Sequence, residues 1–166
     1  MFDKFGEFDT YEEFEEKAKD LLKGADTESI RELAKENGLD PLDAEDYITG
    51  ATIKITDPGS YAVAKIDTLV KESSIDKQAV AYMGIIAKQV LANKQAGLKA
   101  HYKGRRFDKI MDAMEQKVKK NIQNDNNKKN KNACGYACGS DRDMEKIIEA
   151  YFFESEDEMK KAVDKL

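Results

Sequence analysis

The chain has 166 residues, room for one ordinary domain or a small one with an added module, and its 40% apolar content can bury a core although 37% of the residues are charged. No apolar run approaches the ~20 residues that span a bilayer, and the opening Met1-Phe2-Asp3-Lys4 carries no signal-peptide pattern; the sequence excludes a membrane-spanning helix and is read as cytoplasmic. The net charge of −5 conceals a segregation, with −10 over residues 1–50, balance over 51–84, +9 over 85–132 and −4 over 133–166.

Thr10-Tyr11-Glu12-Glu13 fits a capping box and opens a helix over about 11–23, with Phe14, Ala18, Leu21 and Leu22 facing inward and Gly24 as its stop. Thr27 is expected to cap a second helix through residue 35 or 36, with Ile30, Leu33 and Ala34 as its apolar side. Asp40-Pro41 opens a third, which ends at Gly50. Three short helices in fifty residues have the outline of a helix-turn-helix. Their charge argues against DNA, because Leu42-Asp43-Ala44-Glu45-Asp46-Tyr47 would repel phosphates. Such a module either caps the fold or binds a basic protein surface.

Residues 51–56, Ala-Thr-Ile-Lys-Ile-Thr, alternate like a short strand or form an extended connector, and Asp57-Pro58-Gly59 ends them. Helices are expected over about 60–71 and 75–94; in the second, residues 79–87 are apolar nearly all round and make it the candidate central helix. From about residue 105 to 122, Phe107, Ile110, Met111, Met114, Val118 and Ile122 form a 3.6-residue stripe. At about 100° per residue, Arg106, Lys109, Lys117 and Lys120 cluster on one flank and Asp108, Asp112 and Glu115 on the other. That basic edge is either a solvated face or a binding site, with Lys103 and Arg105 nearby. Residues of about 123–132, rich in Asn and Lys, are expected to be a mobile loop. Ser140 or Asp141 caps a helix containing Met144, Ile147, Ile148, Tyr151 and Phe152, and Ser155-Glu156-Asp157-Glu158 is a second capping box before a terminal helix to about residue 165.

The fold class expected is mainly α: a small acidic three-helix module over 1–50, packed on or linked to a larger helical domain over 51–166, with at most one short strand pair. Cys134, Cys138 and the single His101 supply three potential metal ligands, short of the four that a structural zinc site takes. No nucleophile-base-acid set, phosphate loop or H-E-x-x-H motif is legible, so neither an enzyme nor a cofactor or metal site is expected.

Several phrases carry a resemblance. These are Met1-Phe2-Asp3-Lys4-Phe5-Gly6-Glu7-Phe8-Asp9, Ala34-Lys35-Glu36-Asn37-Gly38-Leu39-Asp40-Pro41, Asp43-Ala44-Glu45-Asp46-Tyr47, Lys103-Gly104-Arg105-Arg106-Phe107-Asp108-Lys109-Ile110, and the stretch from Asp141 to Tyr151-Phe152. Together they resemble the PcfK-like, Cas9-inhibiting anti-CRISPR proteins of clostridial phages and mobile elements. The resemblance implies a non-enzymatic inhibitor that binds Cas9 or a Cas9–guide RNA complex and impedes target DNA binding or cleavage. Two surfaces are candidates. The acidic head could mimic DNA toward the effector's positive channels; the edge of Lys103, Arg105, Arg106, Lys109, Lys117 and Lys120 could contact nucleic acid or an acidic protein face. The alternative expectation is a conjugative-transfer accessory that binds DNA or a relaxase complex.

Overall fold

The computed structural model describes residues 4–127 and 139–166, and within them the protein is all α. The helices are α1 (Tyr11–Lys23), α2 (Thr27–Glu36), α3 (Pro41–Thr49), α4 (Pro58–Glu72), α5 (Lys77–Leu91), α6 (Lys94–Lys99), α7 (Phe107–Asn127), α8 (Asp141–Glu149) and α9 (Glu156–Asp164). A π-helical turn, Ala150–Glu154, continues α8. Among the described residues no helix is long and apolar enough to cross a membrane.

Capping follows the local chemistry closely. Thr10 accepts from the Glu13 amide, while Glu13 reaches back to the Asp9 amide at 2.8 Å. Asp40, Asp57 and Asp76 cap α3, α4 and α5. At α2 the cap is Asp26 rather than Thr27: its carboxylate accepts from the Ser29 amide at 3.0 Å and the Ser29 hydroxyl at 2.6 Å, placing Thr27 inside the first turn. Carboxylates at these positions also meet the positive end of the helix dipole.

One open alternative is resolved and three expectations are corrected. Residues 51–56 form no strand; Ile55 is buried, Ile53 is 88% exposed, and among the described residues there is no second strand to pair with. The helix expected over 75–94 is two helices, because the Asn93 side chain accepts from the Ala96 amide at 2.9 Å and starts α6. The basic helix begins at Phe107, so Arg105 and Arg106 lie in the turn before it, where Gly104 takes a φ of +70°. That helix runs on to Asn127, since no Gly or Pro interrupts it, and residues 123–127 are therefore helical. The remainder of the expected Asn/Lys loop, 128–132, and both cysteines lie outside the described residues.

One contiguous hydrophobic cluster extends from Tyr11 and Phe14 on α1 to Met159 and Val163 on α9. Helix α4 leaves only Ser60, Lys71 and Glu72 exposed, whereas α5 presents Gln78, Ala81, Tyr82, Ile85 and Gln89 to solvent. The supposed central helix is thus a half-covered one, and α4 is the more enclosed. Two glycines let α4 approach its neighbours backbone to backbone: a Cβ on Gly59 would lie 2.0 Å from the Ala92 carbonyl oxygen, and one on Gly97 2.3 Å from the Pro58 oxygen. On the other side of α4, the buried Lys65 ammonium donates to Asn37 Oδ1 at 3.3 Å, and the Tyr61 hydroxyl donates to the same oxygen at 3.3 Å. Asn37 in turn donates to the Leu33 carbonyl at 2.8 Å, so the end of α2 is fixed to α4.

Gly59→Ala and Gly97→Ala should each destabilise the protein by at least about 2 kcal/mol, since backbone rather than a flexible side chain must move; urea midpoints check this. A second expectation concerns pH. Burial lowers Lys65 to about 8, with Glu7 and Glu72 opposing and Arg106 assisting. Between there and the ordinary value of 10.5 the unfolded chain holds more protons than the folded one, so stability rises with pH from about 8 to about 10. Above pH 10 the trend reverses, because burial raises the Tyr11, Tyr61 and Tyr102 phenols and folding then retains protons. The rise should amount to roughly 2–3 kcal/mol, read as a urea midpoint against pH, and Lys65→Met should abolish it.

Candidate interaction surfaces

The segment between α6 and α7 is organised by the chain's N-terminal residues. The Tyr102 amide donates to the Asp9 carbonyl at 2.7 Å, the Lys103 amide to Asp9 Oδ1 at 3.3 Å and the Gly104 amide to Glu7 Oε2 at 3.0 Å. His101 Nδ1 lies 2.7 Å from Asp9 Oδ2, and the His101 amide donates to the Phe152 carbonyl of the π-helical turn at 2.8 Å. The Asp9–His101 pair thereby ties the N-terminal segment to the turn. Among the described residues no hydroxyl hydrogen-bonds the other ring nitrogen of His101, and no cluster of three or more His, Cys, Asp and Glu is placed to hold a metal.

Five of the six cations of the expected basic edge meet partners inside the protein. Arg105 lays its guanidinium over the Tyr151 ring, 4.9 Å from the centroid, and donates weakly to the Glu154 carbonyl at 3.4 Å; its Nε is buried with no partner. Arg106 pairs with Glu7 at 2.7 Å, an acid whose side chain is 19% exposed, and also donates to the Arg105 carbonyl at 2.6 Å. Lys109 pairs with Glu156 at 2.8 Å; hydrogen bonds from Lys109 and Lys160 pull that carboxyl down to about 2. Lys117 donates to the Asp164 carbonyl at 2.6 Å, and Lys120 lies 3.5 Å from the Asp164 carboxylate. Lys103 alone of the six has a side chain that reaches no acid or carbonyl among the described residues, and it is exposed.

The attraction between acidic head and basic middle is therefore partly internal, through Glu7, while the C-terminal acids hold the helical part of the edge. Sequence periodicity found the edge and not its partners. The available signal was the excess of carboxylates over 133–166, spaced along a helix that packs on α7. Tyr151 had no such signal: its hydroxyl accepts from the Arg106 amide at 2.9 Å and donates to the Arg106 carbonyl at 3.1 Å, a pairing that depends on the π-helical turn.

The surface of α1–α3 is different. Glu12, Glu16, Glu28 and Asp46 are exposed, and none pairs with a cation among the described residues. Arg31 forms a two-pronged pair with Glu45, at 2.5 and 3.1 Å, which joins α2 to α3. Burial, then the Asp40 and Asp46 carboxylates, raise the Asp43 carboxyl above the usual range. No protein family, curated protein or solved structure matches the chain.

Because the Arg106–Glu7 pair is partly enclosed and anchors the N-terminal segment, a double-mutant cycle with Arg106→Ala and Glu7→Ala should give a coupling of about 1–2 kcal/mol. Lys103→Ala should lie within about 0.5 kcal/mol of the parent. Urea unfolding of the four cycle members and the Lys103 variant checks both.

Proposed function

We propose that this protein is a non-enzymatic inhibitor of a type II CRISPR effector, acting in the bacterial cytoplasm by binding the Cas9–guide RNA complex and impeding target DNA binding or cleavage. The class comes from the resemblance of the N-terminal and basic-helix phrases. The observation that carries the choice of surface is the disposition of charge: the basic edge is held by Glu7, Glu156, Asp164 and Tyr151, whereas α1–α3 present carboxylates without cation partners.

An effector of this kind holds its heteroduplex in a positive channel and reads the PAM with arginines. An acidic helical surface competes for those cations as phosphates do. Each exposed pair contributes little, and the sum weakens with salt over the range in which the Debye length falls below about 10 Å. A cationic edge already paired at home would first have to break those pairs to engage nucleic acid, so the acidic face is the stronger candidate for contact.

The test is Cas9 cleavage of a target plasmid, with the protein added before or after guide loading, alongside size-exclusion of the mixture. Dose-dependent loss of cleavage with co-elution is the expected result, weakened by Glu12→Lys and Glu16→Lys and preserved in Lys103→Ala. Full cleavage with no complex across several Cas9 orthologues overturns the proposal. Salt-sensitive shifting of plain duplex DNA without any effector would favour the transfer-accessory reading instead.

A further inference from the structure

Between α2 and α3 the surface forms an apolar cavity of about 190 Å³, lined by Arg31, Glu32, Lys35, Pro41, Ala44 and Glu45. It is smaller than the ~300–1,000 Å³ of small-molecule sites and has room for one bulky side chain. Its charged rim is largely self-neutralised, Arg31 by Glu45 and Lys35 by Glu32 at 3.7 Å. What remains to offer a partner is hydrocarbon.

Two further features adjoin it. Leu42, 70% exposed, lies about 60° round α3 from Glu45 and about 40° from Asp46, on the flank of the cavity. Leaving it in water forgoes most of the ~1.5–3 kcal/mol that burial of a leucine provides. Asp40, Asp43 and Asp46 stand on the same short helix and its cap, α3 contains no Lys, Arg or His, and no cation pairs with these three among the described residues. By the same count Asp43 lies about 160° from both Pro41 and Glu45, on the side of α3 away from the cavity, so Asp46, next to Leu42, is the carboxylate that a segment crossing this face meets.

We propose that the α2–α3 face is a docking surface for a cationic polypeptide segment that inserts one aliphatic or aromatic side chain into the cavity, covers Leu42, and sets a Lys or Arg side chain against Asp46. Charge complementarity selects this occupant. A second copy related by a two-fold axis would bring the same carboxylates together, and a nucleic acid would be repelled by them. The inference rests on the reading that this protein works by binding another protein, and narrows the contact to one face and one class of segment.

The experiment titrates two short synthetic peptides into isotope-labelled protein and follows backbone amide shifts: an amphipathic leucine–lysine helix, and an oligolysine of equal charge. The expected result is saturable shifts centred on residues 31–46 with the amphipathic peptide, at least about tenfold weaker binding of oligolysine, a similar loss in Leu42→Ser and about a threefold loss in Asp46→Asn. These side chains make no tertiary hydrogen bond or ion pair, so the variants should keep the parent's helical circular dichroism. Shifts centred elsewhere, equal binding of oligolysine, or an unchanged Leu42→Ser overturn the proposal. The same variants in the plasmid assay separate the two readings. Peptide docking lost while Cas9 inhibition persists removes this face from the inhibitor's mechanism, and docking intact in a protein that never inhibits Cas9 removes the inhibitor reading alone.

Discussion

Tyr61 stands between Phe14 and Tyr102, with ring centroids 4.7 and 5.5 Å away, and through them a run of aromatic contacts crosses the molecule. Phe8 meets Phe14 edge-on at 6.0 Å, Tyr11 meets Tyr61 at 5.6 Å, and Tyr102 passes the run to Phe152, which touches both Phe107 and Tyr151. Each such pair adds about 0.5–1.5 kcal/mol beyond the area it buries. The tyrosines also bring hydroxyls into the interior, and these find carbonyls or amides: Tyr11 donates to Thr56 O, Tyr61 to Asn37 Oδ1, Tyr102 to Gly97 O and Tyr151 to Arg106 O. Three of those four acceptors, at Thr56, Asn37 and Arg106, lie in connections or at a helix end, so the aromatic run fixes the segments between helices as well as the helices.

Charge is arranged around this interior according to how far each group sits from it. Glu7 and Arg106 are half enclosed, so their attraction is less screened than that of a surface pair. Farther out, Lys109–Glu156 and Lys120–Asp164 bridge α7 to α9 with side chains about a third or more exposed, and they orient more than they stabilise. At the α4 end of α7, the Ser73 and Ser74 hydroxyls both donate to Asp108, which closes the acidic flank of that helix on a loop. The helix is thus tied to the protein along its basic edge and, on its acidic edge, at its first turn.

Helix identity was legible wherever a cap and a stripe coincided. Thr10, Asp40 and Ser155 mark the starts of α1, α3 and α9, and the stripe from Phe107 to Met114 is the buried side of α7. Where the sequence reading failed, a tertiary contact decided the outcome. Asn93 divides α5 from α6 at the point where Gly97 must approach Pro58, and no local pattern announces that meeting. The 51–56 segment has strand-like alternation without a strand to pair with, so its backbone turns instead, and the Thr56 carbonyl is taken by Tyr11. The basic edge was visible as a periodicity, but its partners on α9 and at Glu7 lie some forty to one hundred residues away and cannot be inferred from spacing.

Besides the acids in ion pairs, the first fifty residues hold two sets of carboxylates that mutation can separate. Asp26 and Asp40 cap helices, Glu13 closes the α1 box and Glu36 accepts from the Lys4 and Phe5 amides, so each holds backbone donors that would otherwise go unmet. Removing one of the caps costs about 1 kcal/mol of folding whatever the protein binds. Glu12, Glu16, Glu28 and Asp46 hold no such donor and lie exposed. Their charge opposes the compact state slightly through mutual repulsion, with no structural return inside the fold. Substituting them therefore probes an external contact without disturbing the fold, whereas substituting a capping acid changes folding and contact together.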